Sequence, residues 1–240
     1  MPKGARGHRR ISERIQSKGR ALWSLNAVPG KRVRGESLRK FSGKEWRNWS
    51  PRHPKLGAGL LRCKGDATEL LPSAGSNTLY LGAGHGTTVS HLYDHLCGQN
   101  GTEGGSIVAV DVSPRCVREL IRLAAKRPGL IPVMADARDT FSLSPWLTSK
   151  VSWIFQDVSQ AGQVDFFLKA LQAYLAPGGT ALLSLKSESE RGGGDAESHY
   201  RHAEERIEAA GLEVKETIRL TGWEEKHALI HAVAPTDWGV

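Results

Sequence analysis

Asp157 and Lys186 are the residues of this chain best placed to do chemistry. Each directly follows an apolar run, 151–155 before Gln156-Asp157 and 180–185 before Lys186. Lys55 is a third candidate, at the start of a short segment rich in Leu, Gly and Ala. An ammonium beside a hydroxyl lowers its pKa by stabilising the alkoxide that develops. A carboxylate next to that ammonium orients it and can accept the proton. Such a set suits a hydroxyl nucleophile better than an amine. The same two side chains could also form a purely structural ion pair.

A second group of residues points to what the hydroxyl would attack. The apolar stretch ending at Leu81 runs into Gly82-Ala-Gly-His-Gly86, followed by Thr87-Thr88. This is a strand, a Gly-rich turn and a helix start, which seats a nucleotide-like ligand at a strand's carboxyl end. The spacing is G-x-G-x-G, not the G-x-G-x-x-G of dinucleotide binders, and it points to S-adenosylmethionine (SAM). Glycines let the backbone approach the cofactor, and the helix N-terminus offers free N–H groups to its carboxylate. Asp111 ends the next apolar run and could accept from ribose hydroxyls. Asp136, in Ala135-Asp-Ala137, could accept from an adenine amino group, with the Ala137 N–H near a ring nitrogen. Asp136 and Ser113 could equally be plain helix caps.

These residues need a scaffold that aligns strand ends. Alternating strand and helix patterns supply one. Strands are expected at 78–81, 106–111, 130–134, 151–155 and 180–185, with 213–220 and 227–233 closing the sheet as an antiparallel pair. Helices are expected at 87–96, 114–126, 164–175 and 196–210, with Pro177-Gly178-Gly179 ending the third and Gly211 capping the last. The predicted class is therefore α/β: a Rossmann-like, mostly parallel sheet with helices on both faces. Before it, short apolar pieces broken by Pro29-Gly30, Gly35 and Gly43 predict a small β-rich module of hairpins. The expected organisation is a basic flexible tail over 1–10, a β-rich N-terminal domain over 11–54 and a methyltransferase-like domain over 55–240. In it a helix at 56–64 and a linker at 65–77 precede the first strand.

The 240 residues carry a formal charge of +8, which favours an acidic partner, nucleic acid first. Lys and Arg crowd residues 1–55, opposed only by Glu13, Glu36 and Glu45, with Trp23, Phe41, Trp46 and Trp49 interleaved. The aromatics argue for a folded basic module rather than a disordered arm. Cys63, Cys97 and Cys116 have no C-x-x-C spacing, which argues against a zinc site or disulfide framework and for a reducing cytosol. No apolar run approaches a membrane span and no signal h-region is visible, so no metal, no membrane and a cytoplasmic location are expected.

Specific runs resemble the fibrillarin family in its archaeal form, the fibrillarin-like rRNA/tRNA 2′-O-methyltransferases. They are Val28-Pro-Gly30 with Val33-x-Gly-Glu36; Trp49-Ser-Pro-Arg-His-Pro-Lys-Leu-Gly-Ala58; Tyr80-Leu-Gly-Ala-Gly-His-Gly-Thr-Thr-Val-Ser-His91; Val110-Asp-Val-Ser-Pro-Arg115 with Arg118-Glu-Leu120; Ala135-Asp-Ala137; Phe155-Gln-Asp-Val-Ser-Gln160; Lys186; and His227-Ala-Leu229. The resemblance implies a class I SAM-dependent methyltransferase that methylates ribose 2′-hydroxyls of rRNA, and of tRNA. It implies catalytic places for Lys55, Asp157, Lys186 and His227. Cofactor contacts carry over to Gly82, Thr87, Thr88, Asp111, Val112, Asp136, Ala137, Asp157, Val158, Ser159 and Gln160. Ala83, Gly84 and Gly86 join them as the rest of the loop. It further implies a box C/D guide ribonucleoprotein, with a Nop-domain scaffold protein, a kink-turn-binding protein, a guide RNA and its target. The chain departs from the pattern at Gly84-His85-Gly86, where the family has Ala-Ser-Gly. It departs at His53-Pro54-Lys55, where the family has Arg-Ser-Lys, and at Lys226, which replaces an Asp. A stand-alone RNA methyltransferase and a non-catalytic ribonucleoprotein subunit are the alternatives.

Overall fold

A computed structural model describes residues 8–50, 54–190 and 194–239. Five antiparallel strands come first: β1 (His8–Arg10), β2 (Ile15–Lys18), β3 (Ala21–Leu25), β4 (Leu38–Phe41) and β5 (Lys44–Trp49), in the order β1-β2-β3-β5-β4. This is the predicted β-rich module. The turn between β4 and β5 is the two-residue Ser42-Gly43, with φ of +49° and +75°. Positive φ at both positions matches the right-handed twist of the strands it joins. The tail expected over 1–10 is shorter at its end, because His8–Arg10 pair with β2. Residues 1–7 of that tail lie outside the described residues.

Next comes α1 (Lys55–Arg62). The segment expected as a linker is packed: a 3-10 turn at Ala67–Leu70 buries Leu70, whose carbonyl accepts from Trp153 Nε1 at 3.2 Å. Then follow β6 (Asn77–Leu81), α2 (Thr87–Leu96), β7 (Ser106–Asp111), α3 (Pro114–Ala124), β8 (Leu130–Met134), β9 (Val151–Gln156), α4 (Gln163–Tyr174), β10 (Leu175–Lys186), α5 (Ala196–Ala209), β11 (Glu213–Arg219) and β12 (His227–Val233). The second sheet has the order β11-β12-β10-β9-β6-β7-β8. Strands β10, β9, β6, β7 and β8 are parallel, and β12 runs antiparallel between β10 and β11. Pro177-Gly178-Gly179, expected to separate helix from strand, lies beyond the end of α4 at Tyr174 and inside the strand. It is absorbed into β10 as an irregularity between the Leu175↔Val151 and Thr180↔Trp153 pairs. Two apolar clusters fill the two faces of this sheet.

Polar contacts weld the N-terminal sheet to the second one. Arg47 of β5 is buried to 1% exposure; it donates to Asp94 Oδ2 at 2.8 Å, Ser90 Oγ at 2.9 Å and Glu36 Oε1 at 2.7 Å. Asp94 also accepts from Ser24 Oγ at 2.7 Å and from the Ala27 N–H at 3.1 Å. The Ser24 hydroxyl proton is thus committed, so His91 Nδ1, 2.7 Å from Ser24 Oγ, must be the donor there. The His91 ring stacks on Trp49 at 5.0 Å.

Burial holds His91 well below the ordinary histidine range, and holds His95 and His231 below it. Unfolding frees all three to take protons. Below about pH 6.5 the unfolded chain therefore binds more protons than the folded one, and stability falls as pH falls. Urea midpoints at about pH 7.5 and 5.5 check this: the acid midpoint should be lower, and equal midpoints would refute it.

Candidate active site

Successive strands leave β6 on one side toward β7 and β8, and return on its other side as β9 and β10. The loops after β6 and β9 therefore diverge, and open α/β sheets bind ligands in the crevice made there. A cleft of about 980 Å³ lies at this point. Its walls include Gly82, Ala83 and Gly84 after β6, Thr87 and Thr88 of α2, and Asp111 and Val112 after β7. Ala137 after β8 and Asp157, Val158, Ser159 and Gln160 after β9 complete the set, with Lys55 at the start of α1.

Backbone geometry explains the glycines. Gly82 has φ of +80°, and a Cβ there would lie 2.3 Å from the Asp157 carbonyl oxygen. Gly84 has φ of +55°, and a Cβ there would meet nothing within 4 Å. Gly84 is itself part of the cleft wall. Gly86 serves packing: its Cβ would meet Leu123 Cδ2 at 2.9 Å and Leu120 Cδ2 at 3.0 Å, and it does not line the cleft. Left-handed strain costs a substituted residue about 1–2 kcal/mol at either Gly82 or Gly84. Gly82→Ala adds a backbone collision, so its thermal midpoint should fall well below that of Gly84→Ala; equal midpoints would contradict this.

Asp111 is tied to the loop it faces. Its Oδ2 accepts from the Gly84 N–H at 2.8 Å and its Oδ1 from the Ser113 N–H at 2.9 Å. Each oxygen keeps a lone pair for a ligand hydroxyl. Asp136 turns elsewhere. Its carboxylate accepts from Arg138 Nε at 2.9 and 3.0 Å and from the Arg138 N–H at 2.9 Å, and it is absent from the cleft wall. Arg138 holds its carboxyl below the usual range.

Lys55 Nζ stands 3.4 Å from Asp157 Oδ1, both side chains being about four-fifths buried. Asp157 is fixed by its own N–H, which donates to the Leu81 carbonyl at 2.8 Å. Among the described residues its ion pair is with Lys55, not with Lys186. Lys186 and His227 are register partners on β10 and β12, at the same end of the sheet but outside the cleft wall. His227 Nδ1 lies 2.9 Å from the Glu225 carbonyl. Lys226 has φ of +56° and pairs with Glu188 at 2.6 Å, which offsets the charge it brings. His53 lies outside the described residues.

Sequence reasoning missed one wall. Arg34, Gly35, Glu36, Ser37, Asn48 and Ser50 reach the cleft from the N-terminal sheet. Arg34 donates to the His85 carbonyl and pairs with Glu119 of α3. Glu36, in the quoted Val33-x-Gly-Glu36 run, accepts from the Val33 and Arg34 N–H groups and from buried Arg47. The run itself carries no sign of that convergence, which appears only in the folded chain.

The fibrillarin family model matches residues 7–236. The fibrillarin-like rRNA/tRNA 2′-O-methyltransferase of Methanopyrus kandleri is 36% identical over 208 residues, covering 86% of this chain and 85% of that one. The protein of the same name from Thermococcus sibiricus is 36% identical over 219 residues, covering 91% and 89%. Methanococcus jannaschii fibrillarin superposes with a TM-score of 0.81 at 26% identity, over 95% of this chain and 97% of that one. Aeropyrum pernix fibrillarin, solved with natively bound SAM, gives 0.79 at 27% identity, over 95% and 98%. A fibrillarin in complex with Nop5p gives 0.73 at 27% identity, over 88% and 93%. With a family model spanning nearly its whole length and relatives of this identity and coverage, the chain belongs to the fibrillarin family.

Proposed function

We propose that this chain transfers a methyl group from SAM to a ribose 2′-hydroxyl of rRNA or tRNA, as the catalytic subunit of a box C/D guide ribonucleoprotein. The observation that carries the reading is the Lys55–Asp157 pair on the wall of the same cleft as the glycine loop and Asp111. The cleft fits SAM: the left-handed Gly84 has open space where a Cβ would stand, and Asp111 keeps free lone pairs beside it. Bound there, SAM supplies an electrophilic methyl on a sulfonium that is already a good leaving group.

The chain's own residues do the rest. Thr87 and Thr88 open α2 and hold the cofactor carboxylate at the helix N-terminus. Asp111 would accept from the ribose hydroxyls, and Val112 and Ala137 on the same cleft wall would hold the base. Asp136 reaches the adenine only by turning from Arg138, so its direct role is the weakest of the set. Val158, Ser159 and Gln160 close the side after β9. Lys55 stabilises the developing alkoxide, while Asp157 orients that ammonium and accepts the proton. Lys186 supplies a second ammonium and His227 backs it from β12. The N-terminal unit, expected over 11–54 but including β1, contributes a wall of the cleft to the unit over 55–240.

The relatives support one of the partners. One fibrillarin was solved in complex with Nop5p, which supports a Nop-domain scaffold for this chain; a kink-turn-binding protein, a guide RNA and a cytoplasmic setting complete the reading. Among the described residues no helix is long and apolar enough to cross a membrane. Omission tests the assembly: methylation of a guide-matched RNA should require every component. Methylation by the chain alone would make it a stand-alone enzyme.

A further inference from the structure

Lys186 ends β10, and pairing of β10 with β9 stops at Leu183↔Gln156. The Lys186 peptide edge on that side therefore has no strand beside it. The side-chain amide of Gln163 takes the strand's place. Lys186 N–H donates to Gln163 Oε1 at 3.1 Å, and Gln163 Nε2 donates to the Lys186 carbonyl at 3.1 Å.

The other Nε2 hydrogen goes to Glu190 Oε1 at 2.9 Å, and the same oxygen accepts from the Gln163 N–H at 3.0 Å. The Gln163 carbonyl accepts from Gln156 Nε2 at 2.7 Å, and Gln156 immediately precedes Asp157. Gln156 and Gln163 are both fully buried. A buried amide is costly unless its donors and acceptor are matched, and both donors of Gln163 are. Packing alone would be served by an apolar side chain of the same volume. The fixed geometry is what the amide adds.

We propose that Gln163 is a positioning residue for the methyl transfer. It zips the loop that follows Asp157 to the end of the strand that carries Lys186, and so sets the separation of the two side chains. This rests on the role given to Lys186 above. A displacement of about 1 Å near reacting groups can cost about 100-fold in rate.

The test uses the full chain in the complete ribonucleoprotein, with single-turnover methyl transfer at saturating SAM and, separately, SAM affinity. Lys186→Ala sets the floor and checks the role of Lys186 independently: a wild-type rate there would refute that role, whatever Gln163 does. Gln163→Ala should lower the rate about ten- to hundred-fold and leave SAM affinity within about two-fold. Gln163→Glu keeps an acceptor for the Lys186 N–H but sets a carboxylate against both Glu190 and the Lys186 carbonyl, so it should be slow. Adding Glu190→Gln returns a donor between those two side chains but not to the Lys186 carbonyl, and should recover part of the rate. A wild-type rate for Gln163→Ala beside a dead Lys186→Ala would overturn the proposal. So would parallel loss of SAM affinity and rate in Gln163→Ala without recovery in the Glu/Gln double variant, because Gln163 would then only hold the fold.

Discussion

Asp157→Asn is expected to slow methyl transfer by about 10²- to 10⁴-fold, the range a positioned proton acceptor supplies. The amide keeps the shape of the carboxylate but neither accepts the proton nor holds Lys55 by charge, and that pair is only 3.4 Å apart. Lys55→Met should cost a comparable amount, since the ammonium stabilises the oxygen from which the proton leaves. The two groups act as one unit, so the double variant should be no slower than the slower single variant. Single-turnover rates at saturating SAM check all three. Additive losses would mean that Lys55 and Asp157 work separately. Unchanged rates would remove the pair from the chemistry.

Arg47→Ala should be strongly destabilising. It leaves the Asp94 carboxylate buried with only Ser24 and the Ala27 N–H as partners. Burial already pushes that carboxyl up from its ordinary value, against the pull of Arg47. Breaking one partner of a buried pair costs about 3–5 kcal/mol, a large part of a typical domain's 5–15 kcal/mol. Urea unfolding should show that loss, and Arg47→Ala with Asp94→Asn should recover part of it because the buried Asp94 charge is then gone, although Glu36 still lacks its Arg47 partner. A loss below about 1 kcal/mol would show that the network is not a weld. Glu36 and Arg47 also line the cleft, so the single variant should bind SAM more weakly wherever it stays folded.

Much of the architecture was legible because local patterns agreed with the tertiary fold. The bounds of α2, β7, β8 and β12 match the periodicities read from their residues. The strand after α4 was misjudged at its start, because Pro177-Gly178-Gly179 carries every local sign of a terminator. Pairing with β9 on either side keeps the chain in the sheet. The turn at Ala67–Leu70 was invisible for a related reason: its burial depends on Trp153, far along the chain.

Residue type and position at strand ends pointed to most of the residues that line the cleft after β6, β7 and β9. They did not show which groups touch. Nothing in the spacing of Lys55, Asp157 and Lys186 indicates that Asp157 pairs with Lys55, because that depends on how α1 enters the sheet. The engagement of Asp136 by Arg138 is a two-residue contact that a ligand-based reading passes over. The wall from the N-terminal sheet follows from the buried Arg47–Asp94–Ser24 network, and no single segment encodes it.

The chemistry is tested most directly by transferring labelled methyl from SAM to a guide-matched RNA in the complete ribonucleoprotein and digesting the product to nucleosides. Label in one 2′-O-methylated nucleoside, lost in Asp157→Asn, is the predicted result. Label on a base, or none despite bound SAM, would contradict it.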